Sequence, residues 1–132
     1  YEGMIAAENA LGDHREVDYT AVPEPIYTEP EIATVGLSSD EAKSMGREVK
    51  VSRLNLSSLP RAQTLEETEG FVQIVSDRTL GHVLGVQIIG ARATDLIAEA
   101  ALAIQKKMSL RDLAETLHGH PTMSEASIEY QL

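Results

Sequence analysis

The sequence lacks cysteine altogether and has no long apolar run. Without cysteine the chain can form neither a disulfide nor a thiolate metal site, and it supplies no thiol nucleophile or redox dithiol. This composition agrees with a cytoplasmic setting, which we expect for the protein. Glycine or charge interrupts the apolar stretches, which fall far short of the roughly 20 residues of a membrane helix. We therefore expect a soluble protein with no membrane partner.

Basic residues are also scarce. The chain has 11 lysines and arginines against 21 acidic residues, which gives a formal net charge of -10. Because binding to phosphate backbones needs clustered Lys and Arg, we expect no nucleic acid partner. The 132 residues, 42% of them hydrophobic, suffice for one domain with one core. No targeting peptide is visible, and since residue 1 is tyrosine we expect the sequence to begin inside a longer chain.

Hydrophobic periodicity and turn residues predict a mixture of helices and strands. The predicted elements are a helix over residues 1–11, an extended proline-rich connector over 13–30, a strand over 32–35, a short helix after Ser38, a strand over 49–56, an irregular excursion over 57–69, a hairpin of strands over 71–75 and 82–89, a helix over 93–108, and a short helix from Ser109 to about residue 117. The pairs Ser38 with Glu41 and Ser109 with Asp112 have the spacing of capping boxes.

Antiparallel hairpins with helices gathered beside them are typical of an α+β fold. We predict a two-layer domain in which helices flank an antiparallel β-sheet. Neither GxGxxG nor GxxxxGK followed by Ser or Thr occurs in the chain. The chain is therefore not expected to hold a dinucleotide or a nucleoside triphosphate by itself.

Residues 118–125, His-Gly-His-Pro-Thr-Met-Ser-Glu, concentrate the chemically useful side chains. We expect them on a surface loop between two short helices, where functional residues are common. In the simplest interpretation Thr122 is a helix N-cap, Glu125 is its capping-box partner, and both histidines are only solvated. A structural role alone would account for the motif.

A metal site is a second interpretation of the same segment. His118, His120 and Glu125 are ordinary zinc or iron ligands. A fourth ligand would have to be His14 or His82, and nothing in the sequence favours either. His-x-His spacing also recurs by chance, so we expect no metal here.

In the third interpretation, His120 and Glu125 form an acid–base pair. The carboxylate would hold one ring nitrogen so that the other faces a reacting group. Pro121 has no amide hydrogen and restricts the residue before it, which would keep His120 outside the following helix. A carboxylate has two oxygens and can accept several hydrogen bonds, so capping and catalytic roles for Glu125 are compatible.

Several separate stretches resemble, in order, the C-terminal interface (dimerisation) domain of the pyridine nucleotide-disulfide oxidoreductases. They are Tyr27-Thr28-Glu29-Pro30-Glu31-Ile32-Ala33, Val35-Gly36, Arg61-Ala62, Gly70-Phe71-Val72, Leu84-Gly85, Ile89-Gly90 and His118 to Glu125. The similarity runs from the connector through Glu125, and residues 1–12 resemble the last helix of the family's flavin domain. His118 and Gly119, with Ser124 to Ala126, are most similar to the dihydrolipoamide dehydrogenases.

The resemblance implies a homodimeric, flavin-dependent oxidoreductase in which this domain pairs the subunits. His120 matches the base that enters the partner subunit's site and deprotonates a thiol of dihydrolipoamide, and Glu125 matches the carboxylate that orients it. The backbone of His120 and Pro121 matches the segment beside the partner's FAD. Electrons from the dithiol reach NAD through a redox disulfide and FAD, all held by upstream regions. The fragment alone is therefore expected to be inactive and to bind neither cofactor. The lipoyl-bearing 2-oxo acid dehydrogenase complex is an implied partner.

The resemblance also divides the chain. Residues 1–20 correspond to a remnant of the flavin-domain helix and connector, and residues 21–132 to the interface domain. Two departures are Pro60, where the family usually has glycine before Arg61, and an end at Leu132 that is slightly early. Two alternatives stay open: the same domain of a glutathione reductase-like enzyme, and a non-catalytic dimerisation module. The last would be favoured if Glu125 only capped its helix.

Overall fold

Apolar, largely β-branched residues form an antiparallel sheet in the computed structural model, which describes residues 1–127. The strands are β1 (Glu24–Ile26), β2 (Ile32–Gly36), β3 (Val49–Asn55), β4 (Phe71–Asp77) and β5 (Val83–Ile89). They lie in the order β1-β2-β5-β4-β3, and each is antiparallel to its neighbours. Valine and isoleucine dominate β4 and β5 because branched side chains fit a buried pleated surface.

The helices lie between and after these strands. They are α1 (Glu2–Ala10), α2 (Ser39–Ser44), α3 (Pro60–Leu65), α4 (Ala93–Gln105) and α5 (Leu110–Glu115), with 3₁₀ turns at Leu56–Ser58 and Met123–Ser127. The predicted α+β fold, an antiparallel sheet flanked by helices, is confirmed. Among the described residues, none of the helices combines the length and the apolar character of a membrane span.

Helix α4 covers the middle of the sheet. It packs against β2 and β5. Ile97, Ala100 and Ala103 share a buried cluster with Val86 and Ile88 of β5. Burying a valine or isoleucine side chain contributes roughly 1.5–3 kcal/mol, so this contact fixes α4 firmly on the sheet. The backbone of α4 is therefore held in a fixed position relative to the sheet.

Both predicted capping boxes are present. The Ser38 hydroxyl accepts from the Glu41 amide at 3.2 Å, while the Ser38 amide donates to the Glu41 carboxylate at 2.8 Å. Ser109 and Asp112 make the same exchange at 3.2 and 2.7 Å. Each box satisfies amides that the first helical turn leaves without a partner. The local spacing therefore fixed the starts of α2 and α5.

Two facing glycines let β2 and β5 approach closely where the pairing ends. Gly36 lies opposite Gly85, and just beyond them the Leu37 amide donates to the Leu84 carbonyl at 2.9 Å. A Cβ on Gly85 would overlap the Leu37 carbonyl oxygen, and one on Gly36, which has a φ of +72°, would overlap that of Leu84. Glycine is required at both positions because only it tolerates this approach and this φ.

Two stretches contain more regular structure than the sequence predicts. The connector includes β1, whose Pro25 is tolerated because β1 lies at the edge of the sheet. The 57–69 excursion includes α3, which begins with Pro60 at a position where a missing amide costs nothing. The prediction of an irregular excursion over 57–69 was therefore wrong, and the extended connector contains a strand that the sequence did not predict.

Some predicted boundaries also shift. Leu56, expected in the strand, lies in a 3₁₀ turn and is fully buried. Helix α4 ends at Gln105 rather than near residue 108, since Lys107 adopts a left-handed φ of 52°. His82, expected in the hairpin, forms an isolated bridge with Ser109. Each shift places the end of an element within a few residues of its predicted position.

Candidate active site

The chemically dense segment follows α5 and lies against α4. Helix α5 ends at Glu115, and an irregular loop leads to the 3₁₀ turn Met123–Ser127. Met123 and Ala126 of this turn are buried in the main core, whereas His120 and Pro121 are exposed. The peptide between His120 and Pro121 is cis. The segment is thus a surface loop, as the sequence predicts, and the structure adds that its far end is anchored in the core.

His120 and Glu125 form a hydrogen-bonded pair. The Nδ1 atom of His120 lies 2.8 Å from Oε1 of Glu125. The imidazole side chain is 69% exposed, whereas the carboxylate side chain is only 17% exposed. Because an ionised carboxylate only accepts hydrogen bonds, Nδ1 carries the proton in this contact. The Nε2 atom then holds the lone pair, and within residues 1–127 it has no hydrogen-bond partner.

Glu125 orients the histidine and also binds the backbone. Its second oxygen, Oε2, accepts a hydrogen bond from the Thr122 amide at 2.8 Å. The pKa of Glu125 is lowered from its ordinary value, mainly by this amide and next by the hydrogen bond from His120. Both donors favour the ionised carboxylate. The capping and orienting roles therefore coexist, one on each oxygen.

Thr122 closes the turn between the two members of this pair. Its hydroxyl donates to the Gly119 carbonyl at 2.7 Å and lies 2.9 Å from the Ser124 hydroxyl. Half of the predicted capping box is present, because the Glu125 carboxylate accepts from the Thr122 amide. These local bonds give the loop a defined shape around His120.

A second histidine–carboxylate pair lies beside the first. His118 places Nε2 at 2.9 and 3.1 Å from the two carboxylate oxygens of Glu99 on α4, and Nδ1 at 2.9 Å from the Thr116 carbonyl. The His118 side chain is 8% exposed and that of Glu99 30% exposed. Sequence reasoning missed Glu99. Its signal in the sequence is weak, because α4 also contains Asp95 and acids are ordinary on the polar face of an amphipathic helix.

The metal interpretation receives no support from this geometry. His118 and His120 contact different carboxylates. In the described part of the chain, no three His, Asp or Glu side chains come together in a way that could hold a metal ion. The two histidines are therefore separate pairs and not one ligand set.

A surface hollow of about 360 Å³ opens beside the exposed end of the loop. Pro121 and Thr122 form one side of it, and Arg61 and Arg92 line another part. Arg61 belongs to one of the stretches that carry the family resemblance. The hollow leaves the His120–Pro121 segment accessible from outside the domain.

Comparison with known protein families assigns most of the chain, including the loop, to one family. The family described as pyridine nucleotide-disulphide oxidoreductase, dimerisation domain, matches residues 22–130. The chain belongs to this family.

Individual relatives narrow the class further. The chain is 44% identical over 128 residues to a dihydrolipoyl dehydrogenase of Halobacterium salinarum and 40% identical over 129 residues to one of Bacillus subtilis. These alignments cover 97% and 98% of this chain but only 27% of each relative. The chain therefore spans about a quarter of the length of these relatives.

Solved structures agree with the architecture. LpdA from Mycobacterium tuberculosis superposes with a TM-score of 0.90 at 31% identity, over 98% of this chain and 28% of that one. The flavoprotein disulfide reductase RclA from Escherichia coli gives a TM-score of 0.86 at 22% identity, over 94% of this chain and 29% of that one. The RclA likeness shows the fold alone.

Proposed function

We propose that this chain is the dimerisation domain of a dihydrolipoyl dehydrogenase and that it supplies an acid–base histidine, His120, to the active site of a partner subunit. The observation that carries the proposal is the His120–Glu125 contact of 2.8 Å, with a largely buried carboxylate and an exposed imidazole. The name shared by relatives at 40–44% identity supports this substrate over the glutathione reductase-like alternative.

The proposed chemistry at His120 is proton transfer. With Nδ1–H held by Glu125, the Nε2 lone pair takes the proton of a dihydrolipoamide thiol, which leaves a thiolate able to attack a disulfide. The imidazolium that forms is stabilised by the carboxylate at 2.8 Å. The same nitrogen later returns the proton. An exposed imidazole suits this task because it must reach a group outside its own domain.

The partner subunit enters the proposal because this chain cannot complete the site. It contains no cysteine, so the redox disulfide must lie elsewhere. His120 projects from the surface rather than into a pocket of its own domain. Homodimerisation through this domain would bring the loop to a neighbouring subunit. A complex bearing lipoyl groups is the corresponding larger partner, and the cytoplasm is the corresponding location.

FAD and NAD fit this proposal as cofactors held by other regions. The chain lacks a glycine-rich dinucleotide loop. The backbone of His120 and Pro121 is the part that would face FAD. It is exposed, and within the described residues the His120 carbonyl accepts no hydrogen bond, so it is free to accept one from a flavin N–H. When bound, FAD supplies the electron acceptor for the dithiol and NAD the final one.

The proposed division of the chain follows from the same reasoning. Residues 21–132 form the interface domain, and residues 1–20 belong to a flavin-domain helix and the connector. The family match over residues 22–130 and the position of β1 as the first strand of the sheet support this boundary.

The test is His120→Gln in the full-length protein that contains this chain. Dihydrolipoamide oxidation with NAD is expected to fall by about a hundredfold to ten-thousandfold, because a positioned general base contributes that much. Flavin content and dimerisation should remain. His14→Gln, a change at another exposed histidine, is the matched control.

Activity of the His120→Gln variant within a factor of two of the parent would refute the acid–base role. Glutathione disulfide reduction should be measured on the same preparation. If it exceeds dihydrolipoamide oxidation, the substrate assignment is wrong even though the histidine keeps its role.

A further inference from the structure

Glu99 contacts both ends of the segment that contains His120. One oxygen of its carboxylate lies 2.9 Å from Nε2 of His118, and the other accepts from the Ser127 hydroxyl at 3.2 Å. Between these two contacts lie His120, Thr122 and Glu125. A single side chain on α4 thus bridges the entrance and the exit of the loop, and α4 itself is fixed on the sheet.

The His118 ring is satisfied on both sides by acceptors. Nδ1 faces the Thr116 carbonyl, which can only accept, so Nδ1 carries a hydrogen. Nε2 faces the Glu99 carboxylate, and that contact also needs a proton on one of its two members. The pair is therefore joined by a hydrogen bond that involves either an imidazolium donor or a carboxylic acid donor. A charge-assisted bond of the first kind is stronger than a neutral one. With the ring nearly buried, this bond fixes the backbone at residue 118.

We propose that His118 and Glu99 are positioning residues for the acid–base histidine, an inference that rests on the proposed function of His120. His120 lies two residues after the fixed ring of His118. The bonds of Glu125 and Thr122 hold His120 to the turn that follows it, which Met123 and Ala126 anchor in the core, but they do not attach the chain before His120 to α4. The Glu99–His118 bond makes that attachment.

If Glu99 served only the stability of the fold, its loss would unfold the domain rather than change the kinetics of a folded enzyme. Met123 and Ala126 keep the far end of the loop in the core whether or not Glu99 is present. Loss of the Glu99 carboxylate should therefore leave the domain folded while His120 moves. A displacement of about 1 Å at a catalytic group can reduce turnover about a hundredfold, so kinetics report this movement sensitively.

The experiment is a double-mutant cycle in the full-length flavoenzyme. Glu99→Ala is expected to lower kcat for dihydrolipoamide oxidation by about tenfold to a hundredfold, with KM changed by less than about threefold. In the His120→Gln background the same change should lower the residual rate by less than about twofold, because the group being positioned is gone. Equal losses in both backgrounds would overturn the proposal.

The conservative variant Glu99→Gln tests whether the hydrogen bonds of Glu99, rather than its charge, position the loop. In Glu99→Gln the amide NH₂ can donate to a neutral Nε2 of His118 while its oxygen still accepts from Ser127. The loop should stay attached, and kcat should recover to within about threefold of the parent. Glu115→Ala is the matched control, since it removes a carboxylate from an exposed ion pair with Arg111. A Glu99→Gln loss as large as that of Glu99→Ala would contradict a positioning role.

A crystal structure of the Glu99→Ala flavoenzyme separates the two proposals. If His120→Gln proves as active as the parent, the proposed function fails. Positioning is then decided by the His120–Glu125 contact, which should lengthen beyond hydrogen-bonding distance or become disordered in Glu99→Ala. An unchanged contact would refute the positioning role independently of activity.

Discussion

Two imidazole–carboxylate pairs lie two residues apart in one loop, and they differ in which member is buried. In the His118–Glu99 pair the imidazole is the buried member, and in the His120–Glu125 pair it is the carboxylate. A buried ring with acceptors on both nitrogens has no free atom for chemistry, so it serves attachment. An exposed ring held by one nitrogen keeps the other available. Exposure, and not residue type, separates the two roles.

The largest expected effect concerns the exposed pair. Glu125→Gln in the full-length protein removes the charge that holds Nδ1–H and stabilises the imidazolium. Dihydrolipoamide oxidation is expected to fall by about a hundredfold, measured as kcat at saturating substrate. Glu115→Gln, which changes an exposed carboxylate, should stay within about twofold. A Glu125→Gln rate equal to this control would mean that Glu125 only caps the turn.

The next effect tests the buried pair through stability. His118→Ala removes a nearly buried ring, leaves the Thr116 carbonyl without this partner and leaves Glu99 only its bond from Ser127, which should destabilise the 132-residue chain by about 2 kcal/mol. His120→Ala removes an exposed ring and leaves Glu125 its bond from the Thr122 amide, so it should cost less, at most about 1 kcal/mol. Urea unfolding followed by circular dichroism measures both. Equal costs would remove the distinction between the pairs.

A smaller effect concerns the turn that joins the pairs. Thr122→Val deletes a hydroxyl that donates to the Gly119 carbonyl at 2.7 Å. We expect a loss of about 1 kcal/mol in the same urea assay, the ordinary value for one hydrogen bond. Thr116→Val is the comparison, because that hydroxyl donates at 2.8 Å to the Asp112 carbonyl at an exposed helix end. A smaller loss for Thr122→Val than for Thr116→Val would show that the turn does not depend on this bond.

The smallest effect is on acid stability. The pKa of Glu125 is held below its ordinary value of 4.5, first by the Thr122 amide and then by His120. Because the folded pKa is the lower one, the stabilisation is complete above the ordinary value and is lost as pH falls through the folded value. The unfolding midpoints of parent and Glu125→Gln should therefore differ more at about pH 5.5 than at about pH 2.5. A constant difference would exclude ionisation of Glu125 as its source.

The sequence predicts the parts of the fold that depend on local chemistry. The capping boxes at Ser38 and Ser109 and the apolar periodicity of β4, β5 and α4 are confirmed because neighbouring residues determine them. Strand β1 was missed because three exposed residues gain order only from pairing with β2. Helix α3 was missed because the stretch is mostly polar, and its burial depends on only two residues, Leu59 just before the helix and Ala62 within it. Tertiary contacts decided both.

The same division applies to the site. The spacing of His120 and Glu125 is short enough for sequence to predict their contact. Glu99 and His118 are 19 residues apart on different elements, and only the packing of α4 on the sheet brings them together. The catalytic roles stay predictions, because a partner subunit and cofactors would have to complete the proposed site.

The anchoring of α4 on β2 and β5 has a consequence for heat resistance. If Glu99 on α4 sets the position of His120, a small change beneath the helix, such as Ile97→Val, should lower kcat at temperatures where the domain is still folded. Inactivation on warming would then precede the loss of helical signal, and the gap between the two temperatures would widen as the helix–sheet contact weakens.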